Sequence, residues 1–175
     1  MVYLKENKRE RYLIALVLLG LYLSLGENSI PKPFPWMKLG LANIVTLIAL
    51  EKFDEKMAYE IFFLRIGIQG IMLGTIFTPG FIVSLIAGGT SIFLTVFLYK
   101  FRKNLSLIAL SSMSAFVHNI LQLIVVYFLL FRNVSLYSRS IIIFILIFLG
   151  LGIAAGLITG YITERLNLRR RELSL

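Results

Sequence analysis

Cysteine is absent from the 175 residues, and histidine occurs once, as His118. Disulfide frameworks, thiolate metal sites and cysteine nucleophiles are therefore excluded, and an ordinary zinc or haem site lacks its donors. Acidic residues are scarce: there are nine, and a single one is aspartate, Asp54. Magnesium held beside a diphosphate needs clustered carboxylate oxygens, and this chain has no such cluster to offer. It also has no G-x-x-x-x-G-K-[ST] run, which removes nucleotide hydrolysis through a P-loop. The expectation is a protein with no cofactor, no metal and no catalytic activity of its own.

Charge of either sign is thin, at 15% of residues, against 58% hydrophobic residues and a mean hydropathy of +0.87. Soluble domains carry about 25% charged and roughly 45–50% apolar residues. No hydrophilic stretch is long enough to fold alone, so residues 1–175 read as one all-α membrane domain. The net charge of +9 would suit nucleic acid, but the basic residues fall in short runs between apolar segments. Topology accounts for that pattern, and no nucleic-acid partner is expected.

A bilayer crossing takes about 20 apolar residues. The apolar runs predict six transmembrane helices, at 11–26, 37–51, 57–77, 81–99, 106–131 and 139–163. Pro31, Pro33 and Pro35 break the chain after the first, and Thr78-Pro79-Gly80 divides the third from the fourth. Charged clusters mark the other breaks. The first run follows Lys5, Lys8, Arg9 and Arg11 like a signal peptide. It has no small-x-small site before Glu27, and further helices follow it, so it reads as a retained helix. Thirteen Lys/Arg fall in the termini and the 52–56 and 100–103 connections. The other side has four: Lys32, Lys38, Arg132 and Arg139. The positive-inside rule then places both termini in the cytoplasm of a prokaryotic inner membrane.

Helix two is short. Leu39 to Leu50 spans about 18 Å at 1.5 Å per residue, so the proline-rich connection is expected to dip into the outer half of the domain. Interrupted segments of this kind accompany transporter binding sites; a tilted helix in a thinned bilayer is the alternative. No internal repeat is evident.

Polar groups inside apolar helices are the candidate ligand-binding residues. Arg65 lies within helix three, where an arginine at mid-membrane costs at least about 2.5–3.5 kcal/mol unless it snorkels, pairs or faces a polar cavity. Gln69 shares its face one turn on. Snorkelling, or pairing with Glu60, competes with a buried role for Arg65. Helix five carries His118 and Gln122 on one face and Asn119 about 100° away. Lipid cannot satisfy these groups, so they are either interhelical glue or a binding site. Helix two adds Lys38 and Asn43. Lys38 and Trp36 could be interfacial anchors, or could rim an outward cavity with Glu27, Asn28 and Lys32. Small residues suggest tight helix packing: Gly152-x-x-x-Gly156-x-x-x-Gly160 in helix six, Gly70-x-x-x-Gly74 in helix three and Ala87-Gly88-Gly89 in helix four. Whether the partner helix is internal or in another subunit is open.

The run Pro33-Phe34-Pro35-Trp36-Met37-Lys38-Leu39-Gly40-Leu41-Ala42-Asn43 resembles the family called heptaprenyl diphosphate synthase component I, also known as the Gx transporter family. The likeness extends through Arg65, Gly74-Thr75-Ile76-Phe77-Thr78-Pro79, Ser84 and Gly88-Gly89 to His118-Asn119-Ile120-Leu121-Gln122, and covers about residues 12–165. That family looks like the substrate-binding S components of energy-coupling factor (ECF) transporters. The resemblance implies a six-helix bundle that captures a small molecule, anionic or isoprenoid, from outside. It also implies partnership with a coupling subunit and two ATPases. S components typically carry alanine-x-x-x-alanine in helix one for docking, where this chain has Gly20-x-x-x-Ser24. Two other contexts follow from the resemblance. One is an accessory subunit for polyprenyl diphosphate synthesis, docking a soluble prenyl synthase on Arg165 and Arg169-Arg170-Arg171. The other is a membrane component of flavin- or quinone-linked electron transfer.

Overall fold

The computed structural model describes the backbone of residues 2–29, 31, 40–132 and 138–172, and the side chains of 8–29, 31, 40–132 and 138–166. Six helices and no strands are found among them: α1 (Val2–Ser29), α2 (Asn43–Lys52), α3 (Glu55–Met72), α4 (Pro79–Tyr99), α5 (Leu107–Leu130) and α6 (Arg139–Glu172). By length and composition, four contain segments able to cross a membrane: Lys8–Ser29, Pro79–Tyr99, Leu107–Leu130 and Arg139–Leu166. The expected helix count is met among the described residues, and six full spans are not.

Two helices fall short: α3 has 18 residues and carries Glu55, Lys56, Glu60 and Arg65, and α2 is shorter still. At ten residues it rises about 15 Å, half of the roughly 30 Å hydrocarbon core. Residues 40–42 form a turn before it, and the expected helical residues 37–39 lie outside those described. All of Ile44 through Leu50 is buried, and α2 touches every other helix. A helix that is apolar on all sides belongs inside protein, so α2 is the centre of the bundle and never needs to span lipid. α1 and α6 extend well beyond the expected 11–26 and 139–163, while α3 stops at Met72 instead of 77.

Local chemistry sets these ends. Asp54, Thr78 and Ser106 cap α3, α4 and α5 by accepting from the backbone N–H of Met57, Phe81 and Ala109, and Pro79 occupies the first turn of α4, where its missing N–H costs nothing. α3 closes on Gly74 in the left-handed region (φ 63°). There Thr75 N donates to Gly70 O and Gly74 N to Ile71 O, the paired bonds of a Schellman stop. Gly74, expected to pack against a helix, is thus a turn residue; a Cβ there would meet nothing within 4 Å.

α5 and α6 share the most extensive interface, and the glycine stripe explains it. A Cβ on Gly156 would lie 2.7 Å from Ser112 Cα, and one on Gly160 would lie 2.6 Å from Ile108 Cα. Gly152 similarly leaves room for the Asn119 amide. The partner of the stripe is therefore internal.

Candidate functional site

The charge-rich end of the bundle holds the α1 N-terminal half and the α2–α3 and α4–α5 connections. Some of its charges are paired. Arg9 reaches Glu60 at 2.9 Å and Asp54 at 3.7 Å, and Arg102 Nε donates to Glu51 at 2.6 Å. Glu60 is therefore committed to Arg9, with Lys56 at 4.0 Å, and Arg65 is not its partner.

Arg65 instead lies against α1, 7% exposed. Its aliphatic stem fills the space left by Gly20, where a Cβ would sit 3.1 Å from Arg65 Cδ. The guanidinium stands 6.0 Å from the centre of the Phe62 ring, and its Nε has no hydrogen-bond partner. Glu27 supplies the nearby opposite charge. That carboxylate, itself buried, accepts from Gly40 N at 3.2 Å and Leu41 N at 3.1 Å. It satisfies N–H groups in the turn entering α2, which would otherwise be orphaned there.

One turn from Arg65, Gln69 is 5% exposed, and its Oε1 accepts from Ser24 Oγ at 2.9 Å. Gly20 and Ser24 are one turn apart on α1, as Arg65 and Gln69 are on α3. The small-residue pair of α1 is thereby consumed inside the bundle by two polar residues of α3.

Gln69 and Gly70 also form the wall of a cavity of about 410 Å³ at the end opposite the charge-rich one. Asn28 of α1, Ile66 and Leu73 of α3, Thr75 and Thr78 of the connection, Phe81 and Ser84 of α4, and Leu130 of α5 complete it. Its size falls in the usual range of small-molecule pockets, about 300–1,000 Å³, and its mixture of apolar walls with a few polar groups is typical. Gly70 makes room for Phe81: a Cβ there would lie 2.8 Å from the ring.

The other expected ligand residues that are described do not line this cavity. Lys38 lies outside the described residues. Asn43 borders a second, much smaller space of about 10 Å³ among α2, α3, α4 and α5, with Thr46, Ser91, Thr95, Ser111 and Ser114. That is room for about one water molecule. Thr95 Oγ1 donates to Ser91 O at 2.8 Å and lies 2.8 Å from Ser114 Oγ; Ser91 Oγ donates to Ser114 O at 3.1 Å. Asn119 Nδ2 donates to Phe148 O at 3.0 Å, which ties α5 to α6. His118 and Gln122 are buried on α5. Ser91, Thr95, Ser111 and Ser114 are absent from the sequence expectations, yet they recur at helical spacing with Ser84 on α4 and with His118 and Gln122 on α5.

Among known families, residues 16–166 match heptaprenyl diphosphate synthase component I. The chain belongs to that family. No curated protein and no solved structure matches it. As described, the family is a component of a synthase, and the four apolar spans are compatible with a membrane component.

Proposed function

We propose that this family member is an S-component-like capture protein, taking a small, largely apolar molecule from the outer side of a prokaryotic inner membrane. The observation that carries this function is the 410 Å³ cavity at the end remote from the Arg9–Glu60 and Arg102–Glu51 pairs. The positive-inside rule puts that charge-rich end, and both termini, in the cytoplasm, so the cavity faces outward. Gln69 contacts the ligand directly, and Arg65 and Glu27 brace the wall behind it. Asn43, His118, Asn119 and Gln122 hold the helices that frame the site. Transport would require a coupling subunit with ATPases, since the chain has no P-loop.

The test is native mass spectrometry of protein released gently from its own membrane. A small molecule should leave with the wild-type protein and be lost from Phe81→Trp, which fills the cavity without touching the α5–α6 seam. A wild-type chain free of any adduct, or equal retention by Phe81→Trp, would end the proposal.

A second function is favoured by α6, which continues as helix from its span at Leu166 to Glu172. Arg169, Arg170 and Arg171 lie on this extension, and the family's description as component I implies a partner component of a prenyl synthase. Here the protein is a non-catalytic membrane anchor for a soluble synthase. Recovery of a prenyl synthase with the full chain in moderate salt, lost on removing residues 167–175, would support anchoring. Recovery unaffected by that truncation would count against it.

A further inference from the structure

Gln69 is the one deeply buried amide in the wall of the outer cavity, and its orientation is set from outside the cavity. Ser24 Oγ donates to Oε1 at 2.9 Å, which fixes the amide so that the oxygen faces α1 and the nitrogen faces away. The nitrogen makes no hydrogen bond among the described residues and is not one of the fully enclosed unpaired atoms, although the side chain as a whole is only 5% exposed. Two N–H groups are thus presented to the cavity that Gln69 lines.

Two of the neighbouring hydroxyls, on Thr78 and Ser84, are already spent as donors. Thr78 Oγ1 donates its proton to Thr75 O at 2.7 Å, and Ser84 Oγ donates to Gly80 O at 2.7 Å. Both therefore offer only lone pairs to a guest. No charged side chain lines the cavity among the described residues; Arg65 sits one turn deeper, packed on Gly20. An anion placed against Gln69 would lose hydration without meeting a cation in the described wall. A neutral oxygen acceptor would complete the amide at no such cost.

We infer that Gln69 determines ligand specificity by donating to an uncharged carbonyl-type oxygen on an otherwise apolar molecule, with Ser24 as the residue that positions it. This rests on the capture function above. It goes further in replacing an anionic or unspecified ligand by a neutral, acceptor-bearing one, and in giving Ser24 a role in selectivity instead of docking.

The test uses the purified full chain in nanodiscs with three probes that share one apolar body: farnesal, which carries a neutral carbonyl; farnesene, which carries no polar group; and farnesyl diphosphate, which is anionic. Binding is read by competition with a tritiated farnesal probe. Farnesal should bind tighter than farnesene by on the order of tenfold, as one well-made hydrogen bond allows, and tighter than the diphosphate. Gln69→Leu should bring the farnesal-to-farnesene ratio close to one while farnesene still binds, which shows that the fold and cavity survive. Ser24→Ala, which lets the amide turn over, should lower the same ratio with farnesene affinity unchanged. A merely structural Ser24 would weaken both probes alike. Equal binding of farnesal and farnesene by the wild type, or preference for the diphosphate, overturns the inference while leaving capture intact. Binding of none of the three overturns both the inference and the assignment of this cavity as an apolar site.

Discussion

Asn119 Nδ2 donates to the carbonyl oxygen of Phe148 at 3.0 Å, at the point where Gly152 removes the side chain that would block it. A polar residue and a glycine on facing helices are thus two halves of one contact. Farther along the seam, Ser111 Oγ meets Thr159 Oγ1 at 2.7 Å beside Gly156 and Gly160. Close backbone approach and hydroxyl pairing repeat along α5 and α6.

Gly152→Ala should therefore be worse than Asn119→Ala. The new methyl overlaps the Asn119 amide and forces it off its bond, an overpacking cost of about 1–3 kcal/mol. Removing the amide alone forfeits one interhelical bond, about 0.6 kcal/mol on average in membrane proteins. Unfolding in mixed micelles should rank the two in that order, with Gly152→Ala/Asn119→Ala recovering part of the loss. A double variant no better than Gly152→Ala would show that the clash is elsewhere.

Glu27 is expected to matter more than a cavity-rim carboxylate would. Glu27→Gln weakens acceptance from Gly40 N and Leu41 N and removes the charge facing Arg65. Hydrogen bonds to a charged group contribute about 1.5–3 kcal/mol, so a drop in stability of that order is expected. Adding Arg65→Met should restore part of it, because the uncompensated guanidinium is then gone. If thermal unfolding shows the two changes to be simply additive, the electrostatic link is absent.

Gly74→Ala separates backbone strain from packing. Nothing lies within 4 Å of the added methyl, and the residue's φ is 63°. The whole cost, roughly 1–2 kcal/mol, should then come from the left-handed conformation. Gly74→Asn should cost less than Gly74→Ala, since asparagine tolerates that region. Gly70→Ala, by contrast, drives a methyl to 2.8 Å from Phe81 and should alter ligand retention as well as stability.

The two ion pairs at the charge-rich end should respond differently to loss of their arginine. Glu51 is only 10% exposed beside Arg102, whereas Arg9 and Glu60 are 34% and 28% exposed. Arg102→Ala removes a 2.6 Å bond from a largely buried carboxylate and should cost clearly more than Arg9→Ala. The latter removes a half-exposed pair of a kind that usually contributes about 0–1 kcal/mol. Chemical denaturation of both variants at low and high salt checks this: the Arg9 pair should weaken with salt more than the Arg102 pair.

Six helices were legible because apolar runs, prolines and charge clusters act locally. Thr78-Pro79 starts α4 and Asp54 starts α3 through bonds to residues three positions later in the chain, so those starts are set locally. The fate of Arg65 was not legible. Snorkelling, pairing with Glu60 and burial were all consistent with its place in α3, and the outcome turned on Gly20, 45 positions earlier. Gln69 stood out as a polar residue in an apolar helix one turn from Arg65, and its place in a cavity wall emerged only when α4 brought Phe81 and Ser84 beside it. Asn119 was singled out with His118 and Gln122 as one cluster, but it turns to Phe148 on a helix the cluster did not include.

The sequence by itself determined the helical, membrane-suited character of the chain, its helix count and its family, because hydropathy, capping and motif are properties of neighbours along the chain. Tertiary structure alone decided that α2 is a buried central strut, that the Gly152 stripe closes on α5, and that Gln69 faces a cavity while Arg65 lies behind it. Those outcomes depend on which surfaces meet, and that is set by packing between segments whose spacing in the sequence carries no record of their contact.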